Sequence, residues 1–146
     1  MYLIKKSFWA DKRVLVTGHT GFKGNWISKW LEELGAEVFG YSLPPSDDLN
    51  NQSFKFRTKI DDNYGDVRDF ERVSNLINSI KPEIVFHLAA QPLVRQSYND
   101  PISTYSTNII GTVNLLEACR RSKTVRACIN VTTDKCYENV NLDRGY

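Results

Sequence analysis

The chain has 146 residues, 41% of them hydrophobic and 25% charged, and a formal net charge of +2 at pH 7. That size and apolar content set one domain of ordinary globular character. The near balance of charge gives no electrostatic case for nucleic acid or an acidic membrane surface, and no apolar run is long enough to span a bilayer.

The segment before Arg13 lacks the continuous hydrophobic region of a signal peptide. The first element is the apolar run Val14-Leu15-Val16, which breaks into Thr17-Gly18-His19-Thr20-Gly21-Phe22-Lys23-Gly24. Behind it Trp26, Ile27, Trp30, Leu31 and Leu34 recur at helical spacing. Strand, glycine turn, helix is the order a dinucleotide site needs. In that reading Gly18 permits the tight turn, Gly21 lets backbone approach a pyrophosphate, and Gly24 lets the helix pack close to the strand. The helix N-terminus then aims its unpaired N–H groups at the phosphates. Lys23 stands in this loop as either a phosphate contact or a solvated lysine.

Strand two is expected at Glu37–Tyr41, a polar surface loop over 42–59, and a short third strand near Lys59–Tyr64 ending at Gly65-Asp66. Phe70, Val73, Leu76, Ile77 and Ile80 mark a helix face stopped by Pro82. Strand four is expected at Glu83–Leu88, one helix from Pro101 to Arg121, and strand five at Val125–Val131, followed by an irregular polar tail. Strands alternating with helices predict a doubly wound parallel α/β sheet, with strands three and five at its edges.

Ligands of such sheets sit outside the carboxyl ends of the strands. After strand three, Asp66-Val67 offers an acid to an adenine amino group; after strand four, Leu88-Ala89-Ala90-Gln91 offers small side chains beside which a cofactor could lie. His87 reads as a satisfied core histidine rather than a catalyst, and Arg95 as either a substrate-phosphate contact or solvated surface. After strand five, Thr132, Thr133, Asp134 and Lys135 pair an acid with a base. Cys119, Cys128 and Cys136 are odd in number and lack C-x-x-C spacing, so they read as reduced thiols of a cytoplasmic protein, with no metal site.

The motifs Thr17-Gly18-x-x-Gly21-x-x-Gly24, Gly65-Asp66-Val67, His87-Leu88-Ala89-Ala90-Gln91 and Asn108-x-x-Gly111-Thr112-x-Asn114-Leu115-Leu116-Glu117-Ala118 resemble the extended short-chain dehydrogenase/reductase superfamily. More narrowly, Gly18-His19-Thr20-Gly21-Phe22-Lys23-Gly24, Ala90-Gln91-Pro92-Leu93-Val94-Arg95 and Thr133-Asp134-Lys135-Cys136-Tyr137 resemble the CDP-glucose 4,6-dehydratase family. The resemblance implies a Rossmann-type fold and a lyase that dehydrates a nucleotide sugar, CDP-glucose, for deoxysugar and O-antigen synthesis. It implies a homo-oligomer, with the cofactor held by Gly18 through Gly24, Asp66, Val67, Leu88 through Gln91, Asn108 and Thr132. It implies that Thr133 holds the C4 hydroxyl, that Asp134 is the general acid at C6, and that Lys135 assists proton removal at C5 or stabilises the enolate.

Strand two ends Gly40-Tyr41-Ser42, with neither an acid for a ribose 2′-hydroxyl nor an arginine for a 2′-phosphate; NAD is the cofactor the resemblance implies. The superfamily's Tyr-x-x-x-Lys pair is read as absent: Asn141 stands four residues after Tyr137, and Tyr105 is likewise followed by Ile109. The expectation is thus an incomplete dinucleotide-binding domain over 1–146, truncated after about strand five, with the C-terminal substrate domain absent. Two other readings stay open: a non-catalytic NAD(P)-binding module, and another nucleotide-sugar epimerase or reductase.

Overall fold

A run such as Val14-Leu15-Val16 belongs at the centre of a sheet covered on both faces. The computed structural model, described over residues 5–44, 59–133, 136–138, 140 and 143–145, places it there. Strand β1 (Arg13–Thr17) lies between β2 (Glu37–Ser42) and β4 (Ile84–His87), with β3 (Asp61–Tyr64) and β5 (Ala127–Asn130) at the edges. All four pairings are parallel, so the five carboxyl ends share one rim.

Alternate residues of β1 feed two cores. Val14 and Val16 pack with Leu31 of α2 (Phe22–Glu33), Val38 and Ile84, joined by Trp9 of α1 (Lys6–Trp9). Leu15 faces the other way, with Tyr41, Val85, Val73 and Ile77 of α3 (Phe70–Ile80), and Leu115 and Ala118 of α6 (Gly111–Arg121). Asp69 caps α3 by accepting from the Arg72 N–H, and Lys81 ends it in the left-handed region at φ 49°.

The expected strands and long helices are present, with ends shifted by no more than two residues. Three features differ from expectation. The helix expected from Pro101 to Arg121 is divided: α5 (Pro101–Tyr105) runs into a π turn at Ser106–Ile110 and then α6. Gly111 N–H bonds Ser106 O, five residues back, which is the mark of that turn. Short helices α1 and α4 (Val94–Asn99) carry no periodic signal and were not expected. The apolar residues of α2 do not all face inward: Leu31 is buried, whereas Trp26 and Trp30 are about half exposed. The loop expected over 42–59 lies largely outside the described residues, and the described residues of the tail form no α-helix or strand.

Candidate cofactor site at the carboxyl rim

The rim is organised by the glycine turn. Gly18 sits at φ 72°, and a Cβ there would stand 2.8 Å from the Ala89 nitrogen, so the turn rests directly on the loop after β4. Gly24 presses its backbone on Gly18 and His19, leaving no room for a side chain. Gly21 differs. It is the N-cap of α2 in extended conformation, without a side-chain cap, and its added Cβ would meet only the Gly18 oxygen, at 3.2 Å. The first turn of a 12-residue helix therefore starts without a side-chain cap on its N–H groups, as an anionic pyrophosphate requires. The chain's own geometry fits a dinucleotide.

Side chains of the turn are used to fasten it. His19 is buried with its ring against Gly40, and its Nε2 lies 3.0 Å from an Asp62 carboxylate oxygen. Burial holds the His19 pKa below its ordinary value, with Asp62 partly opposing the shift. Thr20 Oγ1 and Ser42 Oγ are 3.0 Å apart. Phe22 and Lys23 are exposed at the start of α2.

Beyond β3, the Asp66 carboxylate is paired with the Arg68 guanidinium at 2.6 to 3.0 Å and accepts from the Arg68 N–H, contacts that lower its pKa. Val67 is core, with its side chain against Gly111. Its carbonyl accepts from Asn114 Nδ2 at 3.2 Å, and Tyr41 donates its hydroxyl to the Asp66 carbonyl at 3.0 Å. The segment is held by the core and shows a ligand its backbone and the rim of a carboxylate.

Beyond β4, the loop Leu88–Gln91 is clamped at both ends. Leu88 and Ala89 donate their N–H groups to Thr17 Oγ1, each at 3.2 Å. At the far end, Asn108 in the π turn accepts from the Gln91 N–H at 2.8 Å and donates to the Gln91 carbonyl at 3.1 Å. One acceptor and one donor of the Asn108 side chain thus hold this backbone. Ala90 is exposed between the clamps. Arg95, on α4, is exposed.

His87 is 2% exposed, its Nδ1 2.7 Å from Thr17 Oγ1 and its Nε2 3.0 Å from Thr112 Oγ1. It is the satisfied core histidine the sequence suggests, and burial takes its pKa down to about 4. Thr17 and Thr112 stood in the quoted motifs without a role; their place beside Gly18 and Asn108 was the available signal.

After β5, Thr132 and Thr133 are exposed, and Thr133 O accepts from Cys136 Sγ at 3.0 Å. Asp134 and Lys135 lie outside the described residues. The chain does contain one Tyr-x-x-x-Lys spacing, Tyr2 with Lys6, but it precedes β1 and Lys6 opens α1. Among the described residues no group of three or more His, Cys, Asp or Glu side chains is placed to hold a metal ion, and no helix is long and apolar enough to cross a membrane.

Comparison with known proteins gives the family. A CDP-glucose 4,6-dehydratase of Salmonella typhimurium is 52% identical over 145 residues, covering 99% of this chain and 40% of its own length. Among solved structures, a UDP-glucose 4-epimerase of Thermotoga maritima with UDP-glucose matches at TM-score 0.71 and 31% identity, over 83% of this chain and 38% of its own. The Thermus thermophilus UDP-glucose 4-epimerase in complex with NAD matches at TM-score 0.62 and 37% identity, over 74% and 33%. The chain thus spans between a third and two fifths of the length of these relatives. The family model for GDP-mannose 4,6 dehydratase matches residues 15–142, from β1 into the tail, and the chain belongs to that family.

Proposed function

We propose that this chain is the cofactor-binding part of an NAD-dependent nucleotide-sugar 4,6-dehydratase acting on CDP-glucose. The observation that carries the reading is the uncapped N-terminus of α2 behind Gly21, set against the clamped loop Leu88–Gln91. Identity of 52% to a CDP-glucose 4,6-dehydratase supports the substrate, and a matching epimerase solved with NAD supports the cofactor. Gly18 through Gly24, with the first turn of α2, hold the pyrophosphate; Asp66 and Val67 line the adenine end, and Leu88 through Gln91 with Thr132 form the floor. Bound nicotinamide supplies a hydride acceptor for sugar C4 and a hydride donor for C6. Thr133 holds the C4 hydroxyl, Asp134 protonates the departing C6 hydroxyl, and Lys135 assists proton removal at C5. An acid beside a base at the end of β5 favours elimination over simple epimerisation. Free thiols at Cys119, Cys128 and Cys136 suit a reducing cytoplasm. The substrate domain belongs to the part of the relatives' length that lies outside this chain.

A protein of the relatives' full length carrying this chain, given NAD and CDP-glucose, is expected to form a 4-keto product visible by its absorbance in alkali. Product only from a different nucleotide sugar overturns the substrate; none from any overturns the dehydratase reading. The 146-residue chain, with no Tyr-x-x-x-Lys pair beyond β5, is expected to bind NAD without turnover; turnover by the purified chain contradicts that expectation.

A further inference from the structure

Donors and acceptors around His87 can be assigned one by one, and they form a single directed chain. Thr17 Oγ1 accepts from the Ala89 N–H and shares the Leu88 N–H with the Thr17 backbone carbonyl, all at 3.2 Å, so its lone pairs face amide donors. Its one hydroxyl proton is therefore left for His87 Nδ1, at 2.7 Å. A neutral imidazole that accepts at Nδ1 carries its proton on Nε2, which donates to Thr112 Oγ1 at 3.0 Å. The Thr112 hydroxyl in turn donates to the Asn108 carbonyl at 2.8 Å. Starting from that last bond gives the same answer: a Thr112 hydroxyl spent on Asn108 can only accept from His87. Both ends of the chain fix one tautomer.

We infer that His87 is a positioning residue, which with Thr17 and Thr112 sets the loop Leu88–Gln91 against the glycine turn for cofactor binding. The chain runs between the residues of the two clamps: Thr17 holds the first amides, and Asn108, whose backbone carbonyl ends the chain, holds Gln91 with its side-chain amide. His87 ties them together across β1, β4 and the π turn. The π turn is the part that needs such a tie, because its bonding departs from that of the flanking helices and π turns gather at functional sites. The inference rests on the cofactor-site reading above and deepens it. It names residues that touch no ligand yet set the loop that does.

Thr112→Val keeps the shape and removes the hydroxyl, so His87 Nε2–H loses its acceptor; Thr112→Ser keeps the hydroxyl. Calorimetric titration with NAD is expected to show affinity about tenfold weaker for Thr112→Val and within about twofold of the parent for Thr112→Ser. Hydrogen exchange at the Leu88 and Ala89 amides is expected to quicken in Thr112→Val and not in Thr112→Ser. The ring-nitrogen shifts of His87 in the parent are expected to report the Nε2–H tautomer. An Nδ1–H tautomer, or parent-like affinity and exchange in a folded Thr112→Val, overturns the inference. A parent chain that does not bind NAD overturns the cofactor reading instead, and the tautomer and exchange measurements still decide whether the chain orders the loop.

Discussion

Gly21 and Gly24 sit three residues apart and impose opposite constraints. A Cβ on Gly24 runs into the Gly18 carbonyl, and neither backbone can yield without moving the turn. Gly24→Ala is therefore expected to cost about 3 kcal/mol, read as a fall in the urea midpoint. Gly21 has ordinary φ, and a Cβ there meets only the Gly18 oxygen, at 3.2 Å, so a larger residue asks the turn to give by a few tenths of an ångström, far less than at Gly24. His87 supplies a pH signature. Its pKa falls from 6.5 to about 4 through burial, so the proton is taken up first by the unfolded chain. The stability is fully present above pH 6.5 and is lost as pH falls toward 4, in all by about 3 kcal/mol. His19 adds a loss of the same sign. Urea midpoints of the parent and His87→Gln across this range are expected to show the shallower slope in the variant; equal slopes contradict the burial of a neutral ring. The places of the glycines, Asp66 and the Leu88–Gln91 loop after β1, β3 and β4 were legible, because apolar runs and the breaks that end them show in sequence. The clamps were not, since a hydroxyl's partner is decided by tertiary approach.

At the scale of elements, α2 shows what periodicity leaves open. Trp26, Ile27, Trp30, Leu31 and Leu34 fall within one arc of about 140°, yet the buried face, with Gly24, Ser28 and Leu31, lies at one edge of that arc and beyond it. The close contact of Gly24 with the turn sets the helix's rotation, turning Ser28 and Leu31 inward and Phe22, Trp26 and Trp30 outward. Leu31→Ala is expected to cost about 3 kcal/mol and Trp30→Gln no more than about 1 kcal/mol in urea unfolding. Similar costs for both contradict this rotation. The π turn escaped detection for a related reason. It adds one residue to a turn without changing composition, so the segment reads as one helix even though its buried face begins only at Gly111. The start of the segment was readable, because Asp100 caps α5 by accepting from the Ser103 N–H and Pro101 needs no donor there.

For the whole molecule, the strand order follows from chain order and parallel crossovers, and β5 takes the expected edge. Among the described residues no strand covers that edge, and Ile129 and the following Val131 are 40% and 43% exposed. Ile102, Tyr105 and Val113 add apolar surface along α5 and α6. Unpaired backbone beside apolar side chains, with a net charge of only +2, favours association. Light scattering is expected to show mass rising with concentration; a monomer throughout contradicts an available edge. The account's central claim is that the glycine turn receives a dinucleotide, and calorimetric titration of NAD into the parent and Gly21→Val tests it most directly. Saturable binding by the parent, abolished in a Gly21→Val chain with the parent's circular dichroism spectrum, is the expected result. Undiminished affinity in that folded variant, or no binding by the parent, contradicts it.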